Sequence, residues 1–173
     1  MDYLSIVAFH GHECPGLAIG YRMSCTAMTA LNADRSSDEE LVAIVENNAC
    51  GVDALQCVSG CTFGKGNLIF RDYGKQVYTL YSRGSKMAVR VVFHGKGIPE
   101  QLRDDRSARA RFILGAPEDD LLAWAEAVID EPEAAGIAKP TACAICGEYV
   151  METRLCQMDG GLICIPCAEK HSK

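Results

Sequence analysis

The sequence predicts an α+β fold: an antiparallel sheet packed with helices, followed by a small second domain. Three observations carry that expectation. Helical and β-rich segments follow one another over the first 115 residues in the order helix, strand, helix and then consecutive strands. A small, polar tract with two prolines, residues 131–141, interrupts the pattern. Two closely spaced cysteine pairs then occupy the last thirty-odd residues. The expected boundaries are a main domain over 1–130, a linker over 131–141 and an appended unit over 142–173.

With 173 residues, 49% hydrophobic and 23% charged, the chain has room for one full core. Its 17 Lys and Arg against 23 Asp and Glu leave a charge of −6, which offers no long-range attraction for nucleic-acid phosphates or anionic lipid. Nucleic acid is therefore disfavoured as a partner. The opening MDYLSIVAF lacks a charged leader region and is too short to span a bilayer, so a cytoplasmic location with no membrane contact is expected. In a reducing compartment, ten cysteines point to metal binding or thiol chemistry before disulfides.

Each element has its own signal. PGLAIGYRMSCTAMTALNA opens on a proline suited to the first helical position and repeats Leu17, Tyr21, Met28 and Leu31 at helical spacing. Gly16 and Gly20 leave one side of that helix bare, as close packing against a neighbour requires. ELVAIVEN reads as a buried strand, although Ser37-x-x-Glu40 also resembles a helix capping box. GVDALQCVSG predicts a helix over 51–60 stopped by Gly60. Residues 67–95 hold three β-rich runs with turns at Tyr73-Gly74-Lys75 and Arg83-Gly84-Ser85-Lys86, which predicts an antiparallel meander. Two Pro-Glu starts, in IPEQLRDDRSARARFILG and PEDDLLAWAEAVID, predict two closing helices.

CAIC at 143–146 and CIPC at 164–167 are the strongest chemical signal. Each two-residue gap folds a knuckle that aims both sulfurs at one ion, and together the pairs complete a tetrahedron. A structural zinc ribbon ligated by Cys143, Cys146, Cys164 and Cys167 is expected, although rubredoxin-like iron sites and redox dithiols share the spacing. His171 could replace one thiol, but the all-cysteine set is simpler, and Cys156 between the pairs reads as a small buried side chain.

The second chemical region is FHGHECPG, residues 9–16. In an extended segment His10, His12 and Cys14 point the same way, and Cys14 precedes a helix N-terminus that stabilises a thiolate. On the 51–60 helix, Cys50, Asp53 and Cys57 fall at i, i+3 and i+7 on one face, with Cys61 at its exit. Lys65 in FGKGN is placed to bring a cation near these thiols. The stretch GCTFGKG is no phosphate loop: its first two glycines have three residues between them instead of four, and Gly66 stands where Ser or Thr would bind magnesium. His94 in FHGKG reads as a turn residue and Cys25 as core.

FHGHECPGLAIGYR, NNACGVDALQCVSGCTFGKGNL and the following DYGKQVY, in this order and spacing, resemble the FmdE family, named for formylmethanofuran dehydrogenase. The resemblance implies an α+β domain that forms a homodimer and often carries a zinc ribbon. It also implies a site at His10, His12 and Cys14 together with Cys50, Asp53, Gln56, Cys61 and Lys65, in which Asp53 or Gln56 orients a ligand. Cys57 is an extra thiol. The expected function is a metal-binding protein whose His/Cys cleft takes a second zinc or other transition metal, with His12, Cys14 and Cys61 as ligands. Such a cleft supports metal-assisted or thiol chemistry, in which His10, His12, Cys14, Cys61 and Lys65 take part. The alternative is a non-catalytic accessory or regulatory subunit of a molybdenum or tungsten oxidoreductase. The chain has no ferredoxin-type cysteine run, and the resemblance does not by itself imply dehydrogenase activity.

Overall fold

Asp2 begins the structure before any element the sequence pattern marks. Its carboxylate accepts from the Ser5 amide at 2.9 Å and caps a helix, α1 (Tyr3–His10), in the computed structural model, which describes residues 2–136, 138–158 and 161–171. Gly11 closes α1 in the left-handed region at φ 96°, its amide bonded to Val7. The stretch around His10 is thus a helix end and not the extended run expected. Cys14 caps the next helix, α2 (Pro15–Ala30), its sulfur accepting from the Leu17 amide at 3.4 Å, with Pro15 at the first helical position.

All five residues of β1 (Leu41–Val45) are buried, as a central strand demands. The capping-box alternative fails because Glu40 turns back on the preceding loop. Its carboxylate accepts from the Ser36 hydroxyl and the Asp38 amide, and these bonds hold it down to about 2. Helix α3 (Gly51–Ser59) ends as expected on Gly60, φ 76°. The bare side of α2 packs against its start: a Cβ on Gly20 would run into the Gly51 backbone.

The meander is only half present. Strands β3 (Val77–Ser82) and β4 (Ala88–Phe93) form an antiparallel hairpin, but β2 (Leu68–Phe70) pairs in parallel with β1 on its far side. The connection from β2 to β3 passes the end of β1, where the amides of Arg71 and Lys75 bond the carbonyls of Val45 and Glu46. That crossing puts β1 between them, antiparallel to β3. Only the second closing segment is misread by its alanines. After a short 3-10 turn at Glu118–Asp120 it forms β5 (Leu122–Ala127), antiparallel to β4. Residues 123–126 are exposed, so a helix there would have had no apolar face to bury, whereas pairing with β4 satisfies the backbone. In the first closing segment Pro99 starts another 3-10 turn, and α4 (Arg106–Gly115) begins only after the Asp105 cap.

The sheet order is β2-β1-β3-β4-β5. One core joins Ala43, Val45, Tyr78, Leu80, Val89 and Val91 of the strands to Met23, Ala27, Leu55, Ala110 and Ile113 of α2, α3 and α4. This unit spans Met1–Ala135. The second, Gly136–Lys173, contains two short hairpins, β6 (Pro140–Ala142) with β7 (Tyr149–Met151) and β8 (Leu155–Met158) with β9 (Gly161–Cys164), and a last helix, α5 (Ile165–His171). Among the described residues no helix is long and apolar enough to cross a membrane.

Candidate metal centres

In the second unit Cys143 and Cys146 lie on the turn between β6 and β7, Cys164 ends β9 and Cys167 stands in the first turn of α5. Gly147, at φ 74°, lets the first knuckle close, its amide on the Cys143 carbonyl at 3.0 Å. The four sulfurs lie within 4.8 Å of one another, and Cys146 is 3.9 Å from Cys164. Zn–S bonds of about 2.3 Å in a tetrahedron separate sulfurs by about 3.8 Å, so the set fits zinc without rearrangement. The electrostatics demand a cation. Backbone N–H groups at Cys146, Cys164 and Ile145 pull the Cys143 thiol down to about 6. Cys167, crowded chiefly by Cys164 and further by burial, is pushed up to about 12. Four thiolates coexist here only around positive charge. Cys156 is half-buried and outside the group; the side chain of His171 lies outside the described residues.

In the first unit three helix ends meet. His10 is the last residue of α1, Cys14 caps α2 and Cys50 occupies the capping position of α3 with no capping bond of its own. His10, Cys14 and Cys50 each present a donor atom within 4.8 Å of the other two. His10 Nδ1–H donates to Asp53 Oδ2 at 2.7 Å, which leaves Nε2 with its lone pair, 4.0 Å from Cys14 Sγ. Gln56 supports the carboxylate in turn, its Nε2 donating to Asp53 Oδ1 at 3.4 Å while its Oε1 accepts from the Phe63 amide. Both thiols sit where a helix N-terminus favours negative charge. Gly16 makes room: a Cβ there would lie 3.3 Å from the Cys50 Cβ and under 4 Å from both sulfurs.

The remaining predicted residues are distributed differently. His12 is exposed at the mouth, its ring centroid 4.7 Å from that of His10, but it is not one of the three donors. Cys61, expected as ligand or nucleophile, lies fully buried in the main core, and desolvation pushes its thiol up to about 11. Lys65 is also absent from the cluster, because its ammonium donates to the carbonyls of Ser36, Ser37 and Asp38. Cys57 shares the helix face of Asp53 but stays in the apolar packing beneath, its thiol raised by burial. His94 is the turn residue expected, its Nδ1 accepting from the Lys96 amide.

Two tyrosines escaped the sequence reading. The hydroxyls of Tyr3 and Tyr78 are buried and have no protein partner. Burial, then Glu13 and Cys14, push Tyr3 up to about 12; burial, then Asp53 and Cys50, raise Tyr78. Both unmatched hydroxyls therefore border the cluster, one near each thiol. Tyr78 carries no local signal in the sequence, and Tyr3 would have needed α1 to be recognised from its Asp2 cap.

Residues 9–134 match the family described as "FmdE, Molybdenum formylmethanofuran dehydrogenase operon". The chain belongs to the FmdE family. Residues 136–173 match the prokaryotic dksA/traR C4-type zinc finger, and with the sulfur geometry this makes the tail a structural zinc site. An FmdE-like protein of tungsten formylmethanofuran dehydrogenase type, from Syntrophus aciditrophicus, has a similar crystal structure. The TM-score is 0.75 at 28% identity, over 100% of this chain and 95% of that one. A protein of Archaeoglobus fulgidus described as a probable S-adenosyl-L-methionine-binding protein is 33% identical over 193 residues, 94% of this chain. The chain spans about half the length of that relative, 51%. This FmdE-family chain is accordingly a metal-binding α+β protein with a C-terminal zinc finger.

Proposed function

We propose that the FmdE unit binds a second transition metal through His10 Nε2, Cys14 Sγ and Cys50 Sγ, and that this is its working site. The observation that carries the reading is the convergence of those three donors with Asp53 already bonded behind the imidazole. Two sulfurs and one nitrogen suit zinc, and ligand separations near 4.0 Å need only a small contraction to reach the roughly 3.6 Å of a zinc tetrahedron. Three protein ligands leave one position for water or substrate, the arrangement of catalytic rather than closed zinc sites. An ion so held lowers the pKa of bound water or polarises a carbonyl. Asp53 and Gln56 fix the imidazole, exposed His12 at the mouth is available to carry protons, and the Tyr3 and Tyr78 hydroxyls offer hydrogen bonds to whatever occupies the open side.

Metal content of the full chain tests this. Elemental analysis should give two metal equivalents per chain, falling to one in Cys14→Ser and in Cys50→Ser while the tail zinc stays. One equivalent in the unaltered protein, or two in both variants, defeats the reading.

A further inference from the structure

Away from the thiols, the loop that leaves β4 encloses a cavity of about 380 Å³. Phe93, Ile98 and Pro99 provide apolar wall, while His94, Arg103 and Arg109 contribute donors. The loop is held firmly: the amides of His94 and Gly95 both bond the Leu121 carbonyl, and that of Gly97 bonds Asp120. Gly95, at φ 59°, is needed for the shape, because a Cβ there would press at 3.0 Å on the Phe93 ring and at 3.3 Å on Ile98.

The donors are uncommitted. Arg109 Nε is buried with no acceptor, an arrangement that is costly for a guanidinium N–H. Among the described residues neither Arg103 nor Arg109 takes part in an ion pair. His94 accepts the Lys96 amide at Nδ1, so its neutral ring carries the proton on Nε2 and adds a third donor. Elsewhere the chain's arginines are spent on protein: Arg22 on three carbonyls that end α4, Arg83 on the Glu39 and Glu131 carboxylates. Convergent guanidinium and imidazole donors beside an apolar wall recognise a planar or tetrahedral oxyanion on an apolar body.

We propose that this cavity is a binding site for a small organic anion, a carboxylate or phosphate monoester, gripped by Arg103, Arg109 and His94 with its apolar part against Phe93 and Ile98. Glu100, the one acid on the wall, accepts a hydroxyl or ammonium of the ligand and discriminates against polyanions.

Amide and arginine-side-chain NMR of the full chain tests it, with benzoate and phenyl phosphate as probes that share an aromatic body and differ in head group. At constant ionic strength, saturable shifts at residues 94–98 and at Arg109 Nε are expected with at least one probe, and the stronger of the two assigns the head group. Arg103→Gln, on an exposed side chain, should weaken that binding about tenfold or more with the β3 and β4 amides unmoved, and Arg109→Lys should do the same. Shifts that stay linear with both probes, that map elsewhere, or that survive Arg103→Gln at full affinity overturn the proposal.

Discussion

At the scale of single residues, the metal site of the first unit depends on which atom each side chain offers. Asp53 engages Nδ1 of His10, and Gln56 engages the other oxygen of Asp53, so the imidazole is committed to presenting Nε2. Removing the carboxylate frees the ring to rotate and to exchange tautomers, and such partners typically account for 10–100-fold in metal affinity. Asp53→Ala should therefore weaken metal binding by about that factor in competition against a chromogenic chelator, with the tail zinc untouched. Equal affinity would mean that the imidazole is held by something other than the carboxylate. Residue type also explains why the thiols were only partly legible. Helical spacing places Cys50, Asp53 and Cys57 on one face, yet it says nothing of depth: Cys57 sits in the apolar layer while Cys50 meets His10. Cys61 follows the helix, where its direction is set by the fold of the following loop, and it ends in the core.

Among the elements, the contact between α2 and α3 positions the site. Gly20 and Gly51 let the two helices touch, and Cys50 immediately precedes that contact. Gly20→Ala places a methyl against rigid backbone, so chemical denaturation should show a loss of at least about 3 kcal/mol. The same variant should also lose the first-unit metal, because the two helix starts are pushed apart. A stability within about 1 kcal/mol of the unaltered chain, on the scale of tolerated core swaps, would show that the helices separate freely. The glycine pattern of α2, the β-branched run of β1 and the Gly60 stop were readable because each is a local preference realised locally. β2, β5 and α1 were not. The partner of β2 depends on a crossing over the end of β1, and β5 is an alanine-bearing segment recruited to the edge of β4. Helix α1 carries its polar signal in Asp2 alone, ahead of an apolar run without helical contrast.

On the scale of the whole molecule, the two units owe their stability to different sources. The first buries a continuous apolar core between sheet and helices. In the second the buried cluster is Cys143, Ile163, Cys164 and Cys167, so three of its four members are metal ligands. A unit of fewer than forty residues with such a core folds on the free energy of metal binding. Chelation should therefore act on one unit alone: hydrogen exchange in excess chelator should show β6–β9 and α5 losing protection while β1, β3 and β4 keep theirs. Acid should act in the same direction, since zinc competes with protons for the sulfurs. Cys143, held down to about 6 by backbone N–H groups, resists protonation longest, whereas Cys167, pushed up to about 12, gives up its proton only in exchange for metal. Zinc affinity of the tail must then fall with each step down in pH, and binding must release protons in unbuffered solution. Protection of the tail amides that persists after complete zinc removal would show that Ile163 and its neighbours suffice to fold it.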